Sequence, residues 1–195
     1  HALEADLTAL IEPGVPVLHF PDWETLPYDL FSPHPDIVSQ RIATLYRLPS
    51  VTRGVLVVPI STLMQRLPPT RYIGDRVLML KRGDRLDLER EAGRLEQAGY
   101  RRVGQVIEPG DFAIRGSLLD LYPAGSSVPY RIELLDDEID TLRAFDPETQ
   151  RSSAAVESIQ ILPAREFPFD EPDQRRVREA IRERFDLDVR RSALY

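Results

Sequence analysis

Cysteine is absent from all 195 residues, which excludes disulfides and thiolate metal sites and fits a reducing cytoplasm, the expected location. No apolar run approaches the roughly 20 residues that cross a bilayer. There is no signal-peptide pattern either, so no membrane partner is expected. A surplus of basic charge is missing: the net charge of -7 argues against a surface built mainly to bind nucleic-acid phosphates. The pattern Gly-x-x-x-x-Gly-Lys-Ser/Thr does not occur. Without that phosphate cradle and its lysine, ATP hydrolysis is not expected, and no cofactor is expected. Histidine is scarce, and His19, on a strand, and His34, in a proline-rich loop, have no third ligand at a metal-like spacing.

What remains is an ordinary globular composition, 42% hydrophobic and 29% charged, enough for one large domain or two small ones. The chain begins at His1 without a Met, and a fragment of a longer protein is expected. Residues 2–11 carry Leu3, Leu7, Leu10 and Ile11 at helical spacing, stopped by Pro13-Gly14. Residues 15–20 suit a buried strand. A proline-dense loop follows, where Trp23, Tyr28 and Phe31 are expected to anchor it. Base stacking is the other use of such aromatics, but Asp22, Glu24 and Asp29 oppose phosphates. Asp36 is a candidate N-cap for a helix through Tyr46. Residues 54–59 read as a buried parallel strand, and Ser61 or Thr62 as the cap of a short helix with Leu63, Met64 and Leu67. Strand, helix, strand, helix at this spacing is an α/β layer.

Pro68-Pro69 marks a boundary. A short strand over 77–80 precedes a helix with Leu88, Ala92 and Leu95 on its apolar face and Gly99 as its stop. Residues 99–147 then hold five strand-like runs, at 101–106, 111–114, 118–122, 130–135 and 139–145, separated by turn residues and read as antiparallel hairpins. Leu119 and Leu121 share a face opposite Asp120, and Ile132 and Leu134 a face opposite Arg131 and Glu133. Asp136, Asp137, Glu138 and Asp140 read as a polar turn, not a cation site, because the EF-hand loop pattern is missing. Residues 156–162 form another apolar strand. Asp170 to Phe185 reads as a helix with Val177, Ile181 and Phe185 inside. Its arginines are offset by Glu179 and Glu183, with Asp186 and Asp188 beyond, giving a solvated face with weak ion pairs.

The sheet's polar face carries Arg102, Arg115, Arg131 and Glu133. Two readings stand: a solvated face of cross-strand ion pairs, or a docking surface in fixed geometry. No His, Cys or nucleophilic Ser accompanies the row, so no chemistry is indicated.

The stretch FAIRGSLLDLYPAG, followed by PYRIELLDDEIDTLRAFDPETQR, resembles the domain with which UvrB-type excision-repair proteins hold UvrA. The form in transcription-repair coupling factors is the closer match. FPDWETLPYDLFSPHPDIVSQRIATLYRLP upstream and ILPAREFP downstream resemble the amino-terminal module of the same factors. The resemblance implies an α/β fold: a degenerate helicase-like α/β layer with an inserted small α+β domain. The first part of the layer would span 1–69, the inserted UvrA-binding domain 70–152, and the return to the first domain 153–195. It further implies a non-catalytic recruitment module that binds UvrA and brings excision repair to stalled RNA polymerase. RNA polymerase and DNA would be engaged through other domains, which would also hold an ATP-dependent translocase. The UvrA-binding residues it implies are Arg102, Arg115, Arg131 and Glu133, with Arg101 and Phe112 as neighbours. Ala113 stands where UvrB-type sequences have a further arginine, and a short link at 32–36 replaces their damage-probing hairpin. The alternative is a fragment of a UvrB-type or other helicase that handles damaged DNA.

Overall fold

Apolar alternation between turns builds the centre of the molecule. The computed structural model describes residues 2–26, 29–168 and 171–185; expectations for Tyr28, Asp170, the Phe185 side chain, Asp186 and Asp188 lie outside the described residues. The chain runs through α1 (Ala2–Leu10), β1 (Val17–His19), α2 (Pro35–Arg47), β2 (Val55–Val57), the one-turn α3 (Ile60–Leu63) and α4 (Thr70–Gly74). Next come β3 (Leu78–Lys81) and α5 (Leu88–Gln97). A run of strands follows: β4 (Arg101–Arg102), β5 (Asp111–Arg115), β6 (Leu118–Leu121), β7 (Tyr130–Leu135), β8 (Glu138–Phe145), β9 (Ser152–Ala155) and β10 (Ser158–Ile161). The helix α6 (Glu171–Phe185) is last.

Strands β4 to β9 form one six-stranded sheet in sequence order. From β5 onward every pairing is antiparallel. The first run departs from the hairpin expectation: only two residues are strand, and they pair parallel with β5. The chain then leaves the sheet, because Val106 turns onto the opposite face and is buried against Ala113 and Phe145. β9 was not legible, since Ser-Ser-Ala-Ala has no apolar alternation and is fully exposed at the edge.

One sheet face makes the main core. Phe112, Leu119, Leu121, Ile132, Ile139 and Leu142 pack against Ala92 and Leu95 of α5 and against β3 and β10. Asp87 caps α5, its side chain accepting from the Arg90 N–H at 3.1 Å. Gly99 ends it at φ +97, where a Cβ would lie 2.4 Å from Arg165 Cγ. β10 pairs antiparallel with β3 and puts Ile159 and Ile161 into this core. The segment 156–162, expected to return to the first layer, meets both units: its strand completes the core beneath the sheet, and Leu162 packs with Ile42 of α2. Tyr100 ties the two together, donating to Leu162 O at 2.6 Å and accepting from Ala124 N at 3.2 Å. Burial pushes its phenol up. Tyr100→Phe removes the hydroxyl that serves both buried backbone groups and is expected to cost about 1–3 kcal/mol. Urea denaturation reads it, and an unchanged midpoint would contradict it.

β1 and β2 form a separate parallel pair. Among the described residues β2 has one neighbour, and Leu56 is exposed, so the expected buried strand is an edge instead. At α2 the cap is His34, whose Nδ1 accepts from Asp36 N at 3.3 Å, with Pro35 in the first turn displacing Asp36 from that role. Ser61 and Thr62 do not cap α3: both hydroxyls donate to Asp22 Oδ2, at 2.6 and 2.9 Å. Those bonds hold the Asp22 carboxyl below its ordinary value, the Ser61 bond most. Trp23 is an anchor as expected, whereas Phe31 is exposed. α2 also carries Arg41, fully buried. Its guanidinium donates to Glu166 Oε1 and Oε2, to Pro21 O at 2.6 Å and to Gln65 Oε1 at 3.2 Å. It lies 4.1 Å from the Phe20 ring centroid and 4.8 Å from that of Trp23. On α6, Val177 is exposed, contrary to the expected inward face.

Candidate functional site

The second face of the sheet is where the sequence placed its arginines, and strand register decides which of them meet. Ala113, Asp120, Arg131 and Arg143 stand in one cross-strand row over β5, β6, β7 and β8. Arg115, Leu118, Glu133 and Thr141 form the next row. Alternation puts all of them opposite the main core.

Asp120 is the centre. It is 1% exposed, yet both its oxygens face arginines. Arg131 grips it with two parallel bonds, Nε to Oδ1 at 2.7 Å and Nη2 to Oδ2 at 2.9 Å. Such a fork-to-carboxylate pair is among the stronger hydrogen-bonded contacts. Nη1 of Arg131 turns to Gln150 O at 3.2 Å and Ser152 Oγ at 3.4 Å, and its Cζ sits 4.9 Å from the Phe145 ring centroid. The bond to Asp120, ahead of any other influence, raises the Arg131 pKa. Arg115 reaches the same carboxylate through Nη2, but its side chain is 49% exposed.

The remaining expected residues are placed as follows. Glu133 accepts from Thr141 Oγ1 at 3.0 Å. Arg102 is half-exposed on β4, with Glu89 at 3.8 Å. Arg101 is held by Asp111 at 2.8 Å and Glu108 at 2.9 Å, and the Glu108 bond foremost raises its pKa. Phe112 is 0% exposed in the core, so it supports β5 from beneath and offers no surface. Ala113 is buried with Val106 and Phe145, a small apolar cap on this face. The structure thus brings Arg115 and Arg131 together on Asp120, and sets Arg101 and Arg102 apart on the parallel edge strand.

Sequence reasoning missed two residues. Alternation placed Asp120 on this face, but its fit with Arg131 depends on the length of the 122–129 turn. Arg143 had no outward signal: strict alternation from Ile139 would place it on the core side, and the register shift against Glu133 and Leu134 turns it to the outer face. Among the described residues, no cluster of His, Cys, Asp or Glu side chains could hold a metal ion, and no helix is long and apolar enough to cross a membrane.

Residues 78–167 match the model of a family described as the UvrB interaction domain. That segment starts at β3 and ends beyond β10, the two strands that close the core. The chain is 51% identical over 172 residues to the transcription-repair-coupling factor of Haemophilus influenzae, covering 88% of this chain. It is 50% identical over 171 residues to that of Escherichia coli, again covering 88% of this chain. To the Bacillus subtilis factor it is 34% identical over 176 residues, covering 90%. The aligned segment is 15% of each of these relatives. Residues 78–167 match the UvrB interaction domain family, within a chain that aligns over most of its length with one segment of the transcription-repair-coupling factors.

Proposed function

We propose that this chain is a non-catalytic recruitment module whose arginine face docks UvrA and so brings excision repair to RNA polymerase stalled at damaged DNA. The polymerase and the DNA would be engaged by other parts of a longer protein. In the same reading, β1, β2 and α2 belong to a degenerate helicase-like layer, and the six-stranded sheet to the inserted UvrA-binding unit.

The observation that carries this is the state of Arg115. One nitrogen is anchored on a buried carboxylate, and the side chain is half-exposed at the end of β5. A cation held this way has already lost its rotamer freedom, so a partner's acidic group meets it at low entropic cost. The family match and the likeness to repair factors support the same partner.

Arg115→Ala is expected to weaken UvrA binding at least about tenfold, or about 1.4 kcal/mol. Truncating one partner of a desolvated charge pair typically costs more than that, whereas a rim charge mainly alters the on-rate. A binding titration against wild type checks this, with melting curves to establish that the variant stays folded. Equal affinities would remove Arg115 from the interface.

A further inference from the structure

Arg143 stands directly opposite Arg131 on the neighbouring strand. Like charges in that position destabilise a sheet unless an acidic group lies between them. On the β6 side that group exists, but both oxygens of Asp120 are already bonded to Arg131 and Arg115. Arg131 is saturated too: its Nε, Nη1 and Nη2 all have acceptors, and its side chain is 16% exposed. The Arg143 guanidinium, by contrast, is exposed and has no hydrogen bond or ion pair among the described residues. Its neighbour on the other side is Ala155, whose methyl cannot cover it.

We propose that Arg143 is a further recognition residue of this face, placed to receive a carboxylate from an acidic side chain of the docking protein, while Arg131 and Asp120 hold the strands in register. This rests on the reading that the face docks UvrA and identifies which arginines touch it. Arg115 on β5 and Arg143 on β8 flank the Asp120–Arg131 pair, three strand spacings across and one row apart, about 16 Å between their backbone positions. The occupant that fits is a protein surface with acidic groups at matching separation. A nucleic acid fits poorly, because Glu133 shares the face and the whole chain is at -7. An arginine that costs the free protein stability and has no internal partner breaks a local rule, as recognition sites do.

The test is a titration of UvrA against wild type, Arg143→Gln, Arg115→Ala and Arg182→Ala at two salt concentrations, with a melting curve for each. Arg143→Gln should bind about tenfold more weakly, with a shallower salt dependence and a melting temperature equal to or above that of wild type. Arg182→Ala, on α6, should bind as wild type does. If Arg143→Gln binds like wild type while Arg115→Ala is weakened, the proposal for Arg143 is overturned and the docking face stands. A wild type that does not bind UvrA overturns both. A loss that comes with a lowered melting temperature makes Arg143 a structural residue and overturns its recognition role, as would an Arg143-dependent shift of duplex DNA.

Discussion

Glu166→Ala is expected to destabilise the chain by about 3–5 kcal/mol, the range found when one member of a buried ion pair is removed. Arg41 is 0% exposed, so its charge has no water to turn to once Glu166 is gone. The aromatic faces of Phe20 and Trp23 soften the loss, but each such contact is worth only about 0.5–2 kcal/mol. Trp23 would lose its acceptor as well, because its Nε1 donates to Glu166 Oε1 at 3.0 Å. The effect should be partly reversed by pairing Glu166→Leu with Arg41→Met, since a buried pair replaced by apolar groups is often neutral or stabilising, but Pro21 O and Trp23 Nε1 would still lack their partners. Urea denaturation of the single and double variants, with unchanged slopes, reads both numbers. A single-variant loss below about 1 kcal/mol would show that the pair is solvated and surface-like.

Asp120→Asn is the second large effect, and it should reach binding as well as stability. Removing the charge leaves Arg115, Arg131 and Arg143 on one face with no acidic group among them except Glu133. The full cost of an uncompensated buried charge does not apply, because Arg115 is half-exposed and only Arg131 is held under cover. The expected loss is therefore about 2–3 kcal/mol, below the buried-pair range. A second substitution, Arg131→Gln, should recover part of it by removing the stranded cation. If the proposed docking is right, UvrA affinity falls in Asp120→Asn at temperatures where the chain is still folded, since Arg115 loses the carboxylate that fixes its direction. Equal stability of Asp120→Asn and wild type would mean that the carboxylate does not organise this face.

Much of the architecture was legible because it depends on local period. Leu-Leu-Asp-Leu and Tyr-Arg-Ile-Glu-Leu-Leu declare their inward and outward positions, and the Leu88, Ala92, Leu95 stripe with Gly99 behind it declares α5. Burial then follows without any knowledge of partners. Pairing between distant segments was not legible. β10 could have joined either the first layer or β3, and its local pattern does not choose between them; it pairs with β3. Asp22 drew the hydroxyls of Ser61 and Thr62 away from capping α3, and His34 took the cap of α2. Each is a non-local or proline-shifted competitor that a window of residues cannot contain. Arg41 was the largest miss: an arginine on a helix reads as surface, and its acceptor, Glu166, lies 125 residues away in sequence. The arginine face was half-legible. Arg115, Arg131 and Glu133 were found by alternation, Arg143 was not, and the division into a saturated Arg131 and an open Arg115 and Arg143 comes from register and from the burial of Asp120.

The central claim is that UvrA docks on the outer face of β5 to β8. Hydrogen exchange of the chain, alone and with saturating UvrA, tests it most directly. The account predicts added amide protection across residues 111–121 and 130–145, with α1 and α6 unchanged. A chain that forms no complex, or a complex whose protection falls on α3 or α6 and leaves these strands as they were, would contradict it.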